Sequence, residues 1–387
     1  MRNKICDLIV ITCFVAMLAL PLIFSDKTGG KLQADENRWK AKAPSSLVPH
    51  KGLTKEIENW IDDNCGGREI AKSFYNTLNY GYLNEFRSDS AIVMNDWYYS
   101  LDSEDLTLNN LQHKDVMTND EVNAFISRMQ DINNYFNEQG IKFGMSVFPY
   151  KVDVYPDNLK GYVTQVRPNS EINLMQTIAI NYPELNMNVV NNELKEAAAA
   201  GKLVCYRSYD GGHWNAQGVR YGYASLMKQI SNLLPKEDIK ILRDEDFNMQ
   251  ILERTNTVLG QKFSEEDVSY SVKEPTAVQH QEWFDKIDYK PNDPWRSYRY
   301  FTTGDTSKPD ILIVGDSYIW MQMFPWIAES FNRSVFIHQF DEDNIQRIVD
   351  RVHPDIVIFA GLTTTVEDLV HYSSLTTERT MWGNMFF

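Results

Sequence analysis

Apolar positions recur along this chain with two periods, and the changes between them mark its elements. Between Thr118 and Gly140, the residues Val122, Phe125, Ile126, Met129, Ile132 and Phe136 fall three and four apart. This spacing predicts a long amphipathic helix, opened by a Thr118–Glu121 capping box and closed by Gly140. Ile141–Phe148 follows as a nearly unbroken apolar run, read as a buried strand, with Pro149-Tyr150-Lys151 at its carboxyl end. Helical spacing returns over Ile172–Ile180 and Asn192–Ala200, the latter stopped by Gly201. Leu203–Tyr206 reads as another buried strand, and beyond Asn215 the positions Val219, Tyr223, Leu226, Met227, Ile230 and Leu233 predict a helix.

From Pro309 the alternation is sharpest. A strand at Asp310–Val314 is followed by a helix over Ile319–Phe331 and a strand at Ser334–Ile337. A helix carrying Ile345, Ile348, Val349 and Val352 then leads to a strand at Asp355–Phe359. Apolar strands alternating with helices predict an α/β fold, a parallel sheet with helices on both faces. Upstream, Leu53–Phe86 is helical in two pieces broken at Gly66-Gly67, and Ala91–Leu101 is aromatic and extended. Residues 236–304 are less regular and read as an insertion, a β-rich arm packed on the main sheet.

The N-terminus changes the picture. Leu8–Phe24 is an uncharged apolar run of seventeen residues behind Arg2 and Lys4, with no small-residue cleavage site after it. It predicts an N-terminal membrane helix or signal over 1–25, followed by a polar tether over 26–50 and an exported domain over 51–387. The expected location is therefore a cell membrane, with the bulk of the chain outside the cytoplasm, or a secreted or periplasmic form after signal cleavage. Export would permit Cys65 and Cys205 to pair, with two buried thiols as the alternative.

With 43% hydrophobic and 24% charged residues, the 387-residue chain is globular rather than disordered, and its net charge of −15 argues against nucleic acid as a partner. No metal is implied: the seven histidines are scattered singly, and no HExxH, Walker loop or dinucleotide fingerprint occurs. His338, His353 and His371 read as structural or exposed.

Candidate chemistry collects at two strand exits. Asp210-Gly211-Gly212-His213 puts a carboxylate and an imidazole on one loop, so that Asp210 can hold one ring nitrogen and leave the other facing outward. The plain alternative is a surface turn whose Asp caps the next helix. Gly315-Asp316-Ser317-Tyr318 ends a central strand, where a serine hydroxyl lies beside backbone N–H groups able to hold an oxyanion. It lacks the second glycine of a nucleophile elbow, which excludes an α/β-hydrolase assignment. Together the two loops supply nucleophile, base and orienter: Ser317, His213 and Asp210. Trp214, Tyr318, Lys151 and Asp316 are weaker candidates for contact with substrate.

These residues resemble those of the SGNH-hydrolase-like proteins that O-acetylate exported polysaccharides, the alginate acetylation proteins and the DHHW family. The resemblance rests on Gly315-Asp316-Ser317 and on an Asp/His pair followed by Trp214 and Asn215, with the Asp–His element preceding the serine. Glu36-Asn37-Arg38, the Asp62/Arg68 region, Asp96-Trp97-Tyr98 and Pro149-Tyr150-Lys151 are also similar.

The resemblance implies an SGNH (flavodoxin-like) core with insertions and acetyl transfer to a hydroxyl of an exported or cell-surface polysaccharide. It implies no cofactor, the acyl donor being supplied by a membrane-bound O-acyltransferase partner. One departure matters, because the family writes Asp-x-His-Trp and here two glycines separate Asp210 from His213. The extra residue either bulges harmlessly or breaks the Asp–His contact. A carbohydrate esterase with the same triad, and a non-catalytic polysaccharide-binding protein, are the alternatives.

Overall fold

The computed structural model describes residues 2–25, 32–33, 38–83, 85–87, 91–101, 107–159, 161, 164–258 and 261–372. Glu36 and Asn37 lie outside the described residues. The helices used below are α1 (Arg2–Ile23), α2 (Leu53–Asn64), α3 (Arg68–Leu83), α4 (Asn119–Glu138), α5 (Glu171–Asn181), α6 (Asn192–Ala199), α7 (Ala216–Leu233), α8 (Met323–Ala328), α9 (Ile345–Val352) and α10 (Thr363–Tyr372). The strands are β1 (Ala91–Met94), β2 (Trp97–Ser100), β3 (Lys142–Phe148), β4 (Met187–Val189), β5 (Phe247–Val258), β6 (Gln261–Val272), β7 (Val278–Gln279), β8 (Arg299–Thr302), β9 (Ile311–Gly315), β10 (Arg333–His338) and β11 (Ile356–Leu362).

Among the described residues the main sheet has seven strands in the order β7-β8-β10-β9-β11-β3-β4. The five from β10 to β4 are parallel, while β7 and β8 add an antiparallel edge, so the sheet is mixed rather than wholly parallel. Successive side chains of the central strands point to opposite faces. Ile311, Ile313, Ile356 and Ile358 pack with α7 and α8. Leu312, Val314, Val357 and Phe359 pack with α4, α5, α9 and α10. Each fully buried aliphatic side chain is worth roughly 1.5–3 kcal/mol, which is why these strands read as continuous apolar runs and why the loops at their carboxyl ends have a firm base. The capping box of α4 is present: Thr118 Oγ1 accepts from Glu121 N at 3.4 Å, and Thr118 N donates to Glu121 Oε2 at 2.6 Å.

Two expectations are corrected. The apolar N-terminal run does form a helix, α1, with Pro21 in its last turn. Among the described residues, however, no helix is long and apolar enough to cross a membrane. That finding overturns the single-pass anchor, the membrane location built on it, and the membrane-bound acyl-donor partner it was to meet. The end of α1 is instead tied to the turn between α2 and α3, where Gly66 N donates to Pro21 O at 2.8 Å.

Second, Leu203–Tyr206 is not a strand of the sheet. It makes only an isolated bridge, Cys205 to Trp214, because its hydrogen bonds go to the returning arm of its own loop: Tyr206 N to His213 O, and Asn215 N to Val204 O. Of the two readings of Cys65 and Cys205, the unpaired one holds: both thiols are free. Cys205 is buried, and burial pushes its thiol up to about 12, a chemically quiet state.

The irregular region from Pro235 contains a long antiparallel ribbon, β5 paired with β6 over twelve positions. Phe247 and Tyr270 of the ribbon pack edge-on against Trp326 of α8, seating it beside the sheet.

One buried pair carries a pH signature. Burial pushes the Glu171 carboxyl of α5 up to about 7, against the lowering effect of its hydrogen bonds with Met117 N and with Glu367 of α10; Glu367 is raised well above its usual range by burial and by Glu171. Met117 N is bonded to the pair through Glu171 Oε2. Acids with raised folded-state pKa values hold protons more tightly in the native chain, so their stabilising contribution is complete below the ordinary carboxylate pKa and is lost as pH rises through about 7. Thermal unfolding should therefore show a midpoint that falls between pH 5 and pH 8, and Glu171→Gln should flatten that fall. An unchanged slope in the variant would refute the assignment.

Candidate active site

Two loops at the carboxyl end of the sheet meet to form the site. The first follows β9. Gly315 ends the strand so close to β11 that a Cβ there would lie 2.1 Å from Ala360 O, so only glycine lets the chain turn at this point. Asp316 next caps the following helical turn, its Oδ1 accepting from Tyr318 N at 2.9 Å. Its Oδ2 accepts from Leu362 N and Thr365 Oγ1, each at 2.8 Å. The carboxylate thus fastens the serine turn to β11 and α10, leaving Ser317 half-buried at the rim.

The second loop carries Asp210 and His213. His213 Nε2 lies 2.7 Å from Ser317 Oγ, and His213 Nδ1 lies 3.1 Å from both Asp210 oxygens. Asp210 Oδ1 also accepts from Gly212 N and His213 N, each at 2.8 Å. Burial alone would push the Asp210 carboxyl up, but the charge and hydrogen bond of His213, together with these two N–H donors, outweigh it and hold the group well below the usual carboxylate range. Asp210 therefore remains an acceptor at any physiological pH. An ionised acceptor at Nδ1 places the ring proton there and leaves Nε2 to accept from the serine hydroxyl.

The two-glycine spacing is accommodated, and the reason is steric. Gly211 is pressed against the edge of β2, where a Cβ would lie 2.5 Å from Ser100 N. Ser100 N donates to Gly211 O at 3.3 Å and Tyr98 N to Arg207 O at 2.8 Å, so the loop runs along β2 almost as an added strand. The extra residue is absorbed in that contact, and the Asp–His hydrogen bond survives.

The family model described as an SGNH hydrolase-like domain, acetyltransferase AlgX, matches residues 95–330. The chain belongs to this SGNH-hydrolase-like acetyltransferase family. A probable alginate O-acetylase AlgJ from Pseudomonas fluorescens is 25% identical over 185 residues, which are 47% of this chain and 43% of that relative. The alignment thus spans less than half of the relative's length. The structure of Bacillus cereus PatB1 with a sulfonyl adduct is similar with a TM-score of 0.54 at 13% identity, over 75% of this chain and 99% of that one. The PatB1 structure described without the adduct gives 0.51 at 12% identity, over 73% and 96%. At these identities the likeness is one of fold.

The span matched by the family model contains Asp210, His213 and Ser317. In this SGNH-hydrolase-like chain the four weaker candidates, Trp214, Tyr318, Lys151 and Asp316, are all buried. Trp214 is buried between Phe148 and Tyr318, with ring centroids 4.8 and 4.9 Å away. Tyr318 is buried as well, and its hydroxyl donates to Gly212 O at 2.8 Å, joining the serine turn to the Asp–His loop. Asp316 is the fastener described above.

Lys151, read as able to reach a substrate, is 2% exposed. Its Nζ donates to Tyr98 O at 2.6 Å, Asp210 O at 3.0 Å and Arg207 O at 3.3 Å, and lies 4.7 Å from the centre of the Tyr99 ring. It clamps the Asp–His loop to β2.

Glu265 of β6 was not anticipated from the sequence. Its buried carboxylate accepts from Arg207 N at 2.7 Å, Tyr209 N at 2.9 Å and Ser208 N at 3.1 Å. Asn256 of β5 adds a bond from Nδ2 to Tyr209 O at 2.8 Å. The ribbon therefore holds the approach to Asp210 as well. A signal does exist, since Phe263, Glu265 and Asp267 alternate in phase as inward positions of β6.

Proposed function

We propose that this protein is an O-acetyltransferase that moves an acetyl group onto a hydroxyl of a polysaccharide, with Ser317 as nucleophile, His213 as base and Asp210 as the orienter of His213. The observation that carries this reading is the 2.7 Å approach of His213 Nε2 to Ser317 Oγ with Asp210 on the opposite ring nitrogen. Family membership supports acyl chemistry at that serine, and a relative described as a probable alginate O-acetylase supports a polysaccharide acceptor.

In the first half-reaction Ser317 Oγ attacks the acetyl carbonyl of the donor while its proton passes to His213 Nε2. The negative charge that develops on the carbonyl oxygen is met by the Ser317 N–H. Collapse expels the donor's leaving group, which takes the proton back from His213, and leaves an acetyl ester on Ser317. In the second half-reaction a sugar hydroxyl gives its proton to His213 and attacks that ester. Collapse returns the proton to Ser317 Oγ and releases the acetylated sugar. Asp210 holds the imidazole in one tautomer throughout and stabilises the imidazolium formed in each half-reaction.

The test is to incubate the chain with p-nitrophenyl acetate, with and without oligosaccharides, and to follow ester loss together with sugar mass. Acetylated sugar is the expected product, and Asp210→Ala should lower the rate by about 10³-fold or more. Ester loss with every sugar unmodified would instead support an esterase built on the same residues. Turnover no greater than that of Ser317→Ala would overturn the catalytic reading.

A further inference from the structure

We infer that Trp295 and Phe340 form a stacking platform for a sugar ring of the acceptor, placed beside Ser317 at the carboxyl edge of the sheet. The inference rests on the acetyl-transfer reading above and supplies the acceptor subsite that reading lacks. Its position follows from strand register. Gly315 of β9 is paired with His338 of β10; Ser317 lies two residues beyond the first and Phe340 two residues beyond the second. The two backbones therefore leave the sheet side by side, about 5 Å apart.

Trp295 comes to this place from the loop before β8, with its ring 5.9 Å from both His338 and Phe340 and only 28° from parallel to Phe340. Both platform residues face water: Trp295 is 56% exposed and Phe340 41%. His338, buried beneath them, accepts from Phe340 N at 3.4 Å and sets the direction in which that ring leaves the strand.

The loop bearing Trp295 is built to hold its indole outward. Asp341, wholly buried, accepts from Tyr289 Oη at 2.6 Å, from Asp293 N at 3.0 Å and from Asn292 N. Asp293, also buried, accepts from Trp295 N at 2.9 Å and from Ser297 N. Two buried carboxylates thus accept four backbone N–H bonds from one short loop whose large apolar side chain stays in solvent.

A rigid, amphipathic ring held in water recognises a ligand at low entropic cost. The ligand that suits two near-parallel rings is flat, with an apolar face of C–H groups and a polar periphery: a pyranose ring stacks its C–H face on the negative π-face while its hydroxyls stay hydrated. A sugar seated there leaves a neighbouring residue of the same glycan beside Ser317.

The test measures oligosaccharide binding by calorimetry in the Ser317→Ala chain, so that it does not depend on turnover. The probes are hexamers of β-1,4-linked glucose, of N-acetylglucosamine and of mannuronate. At least one should bind, and adding Trp295→Ala or Phe340→Ala should weaken it about tenfold, with Trp295→Phe recovering most of the affinity. Tyr82→Ala, a change to an exposed aromatic on α3, should leave affinity unaltered. In the chain with Ser317 intact, Trp295→Ala should raise KM for the oligosaccharide far more than it lowers kcat. Near-ultraviolet circular dichroism checks that each variant is folded; if Trp295→Ala is not, Trp295→Phe and Phe340→Ala carry the comparison.

Binding of none of the three probes, or affinity unchanged in the folded platform variants, overturns the platform while leaving the Ser317 chemistry standing. Full esterase turnover by Ser317→Ala would overturn the triad while the binding result still decides the platform.

Discussion

Ser317→Ala and His213→Ala should each reduce acetyl turnover by about 10³-fold or more, and the double variant should lose little beyond either single one. The expectation comes from the single hydrogen bond that joins them, 2.7 Å between His213 Nε2 and Ser317 Oγ. Without the imidazole the hydroxyl has no base to receive its proton, and without the hydroxyl the base has nothing to activate, so the second deletion removes a function already gone. Burst-phase kinetics with p-nitrophenyl acetate make the check, since wild type should release nitrophenol with acetyl retained on Ser317 whereas neither variant should. Multiplicative losses in the double variant would show that the two residues act in separate steps, and would sink the triad.

The second large effect is expected at a buried residue, Lys151. Lys151→Met keeps the length of the side chain and its packing against Trp97 and Tyr99 but removes the ammonium. The carbonyls of Tyr98, Arg207 and Asp210 then lose a common donor. Leaving buried carbonyls without that donor should cost on the order of 3 kcal/mol of stability. The same change frees the Asp210 backbone, so kcat should fall by about tenfold or more even where the chain remains folded. Thermal unfolding and kcat measured well below the midpoint separate the two effects. A lowered midpoint with unchanged kcat would limit Lys151 to a purely structural role.

Much of this was legible in the sequence, for a physical reason. The central strands and α4 announce themselves because their burial is nearly complete and their caps are local, so a window of a few residues contains the whole signal. Asp210, His213 and Ser317 stand out as candidates because each sits where an apolar run gives way to a loop containing glycine. The features that escaped depend on partners far away in the chain. Lys151 looks like any surface lysine until three carbonyls from two other segments surround it. Leu203–Tyr206 has the apolar content of a strand, but the register that would admit it to the sheet is given up to Trp214 and His213 of its own loop. The inward face of β6 is disguised because two of its positions, Glu265 and Asp267, are acids, which a search for apolar alternation passes over. At the N-terminus apolar content predicts a membrane span, and the described helices do not bear that out.

The bonds from the ribbon to the Asp–His loop also order events in time. Glu265 reaches back 58, 57 and 56 residues to Arg207, Ser208 and Tyr209, and Ser317 lies 104 residues beyond His213. During synthesis Asp210 and His213 emerge well before either support exists, and contacts at such separations form late because the loop they close must first surrender its entropy. The amides that Glu265 will bind stay hydrated until the ribbon pairs, and the imidazole meets its serine only after β9 has entered the sheet. The candidate site is thereby assembled late, and any acetyl turnover regained on refolding should report the arrival of the ribbon and of β9 rather than collapse of the core.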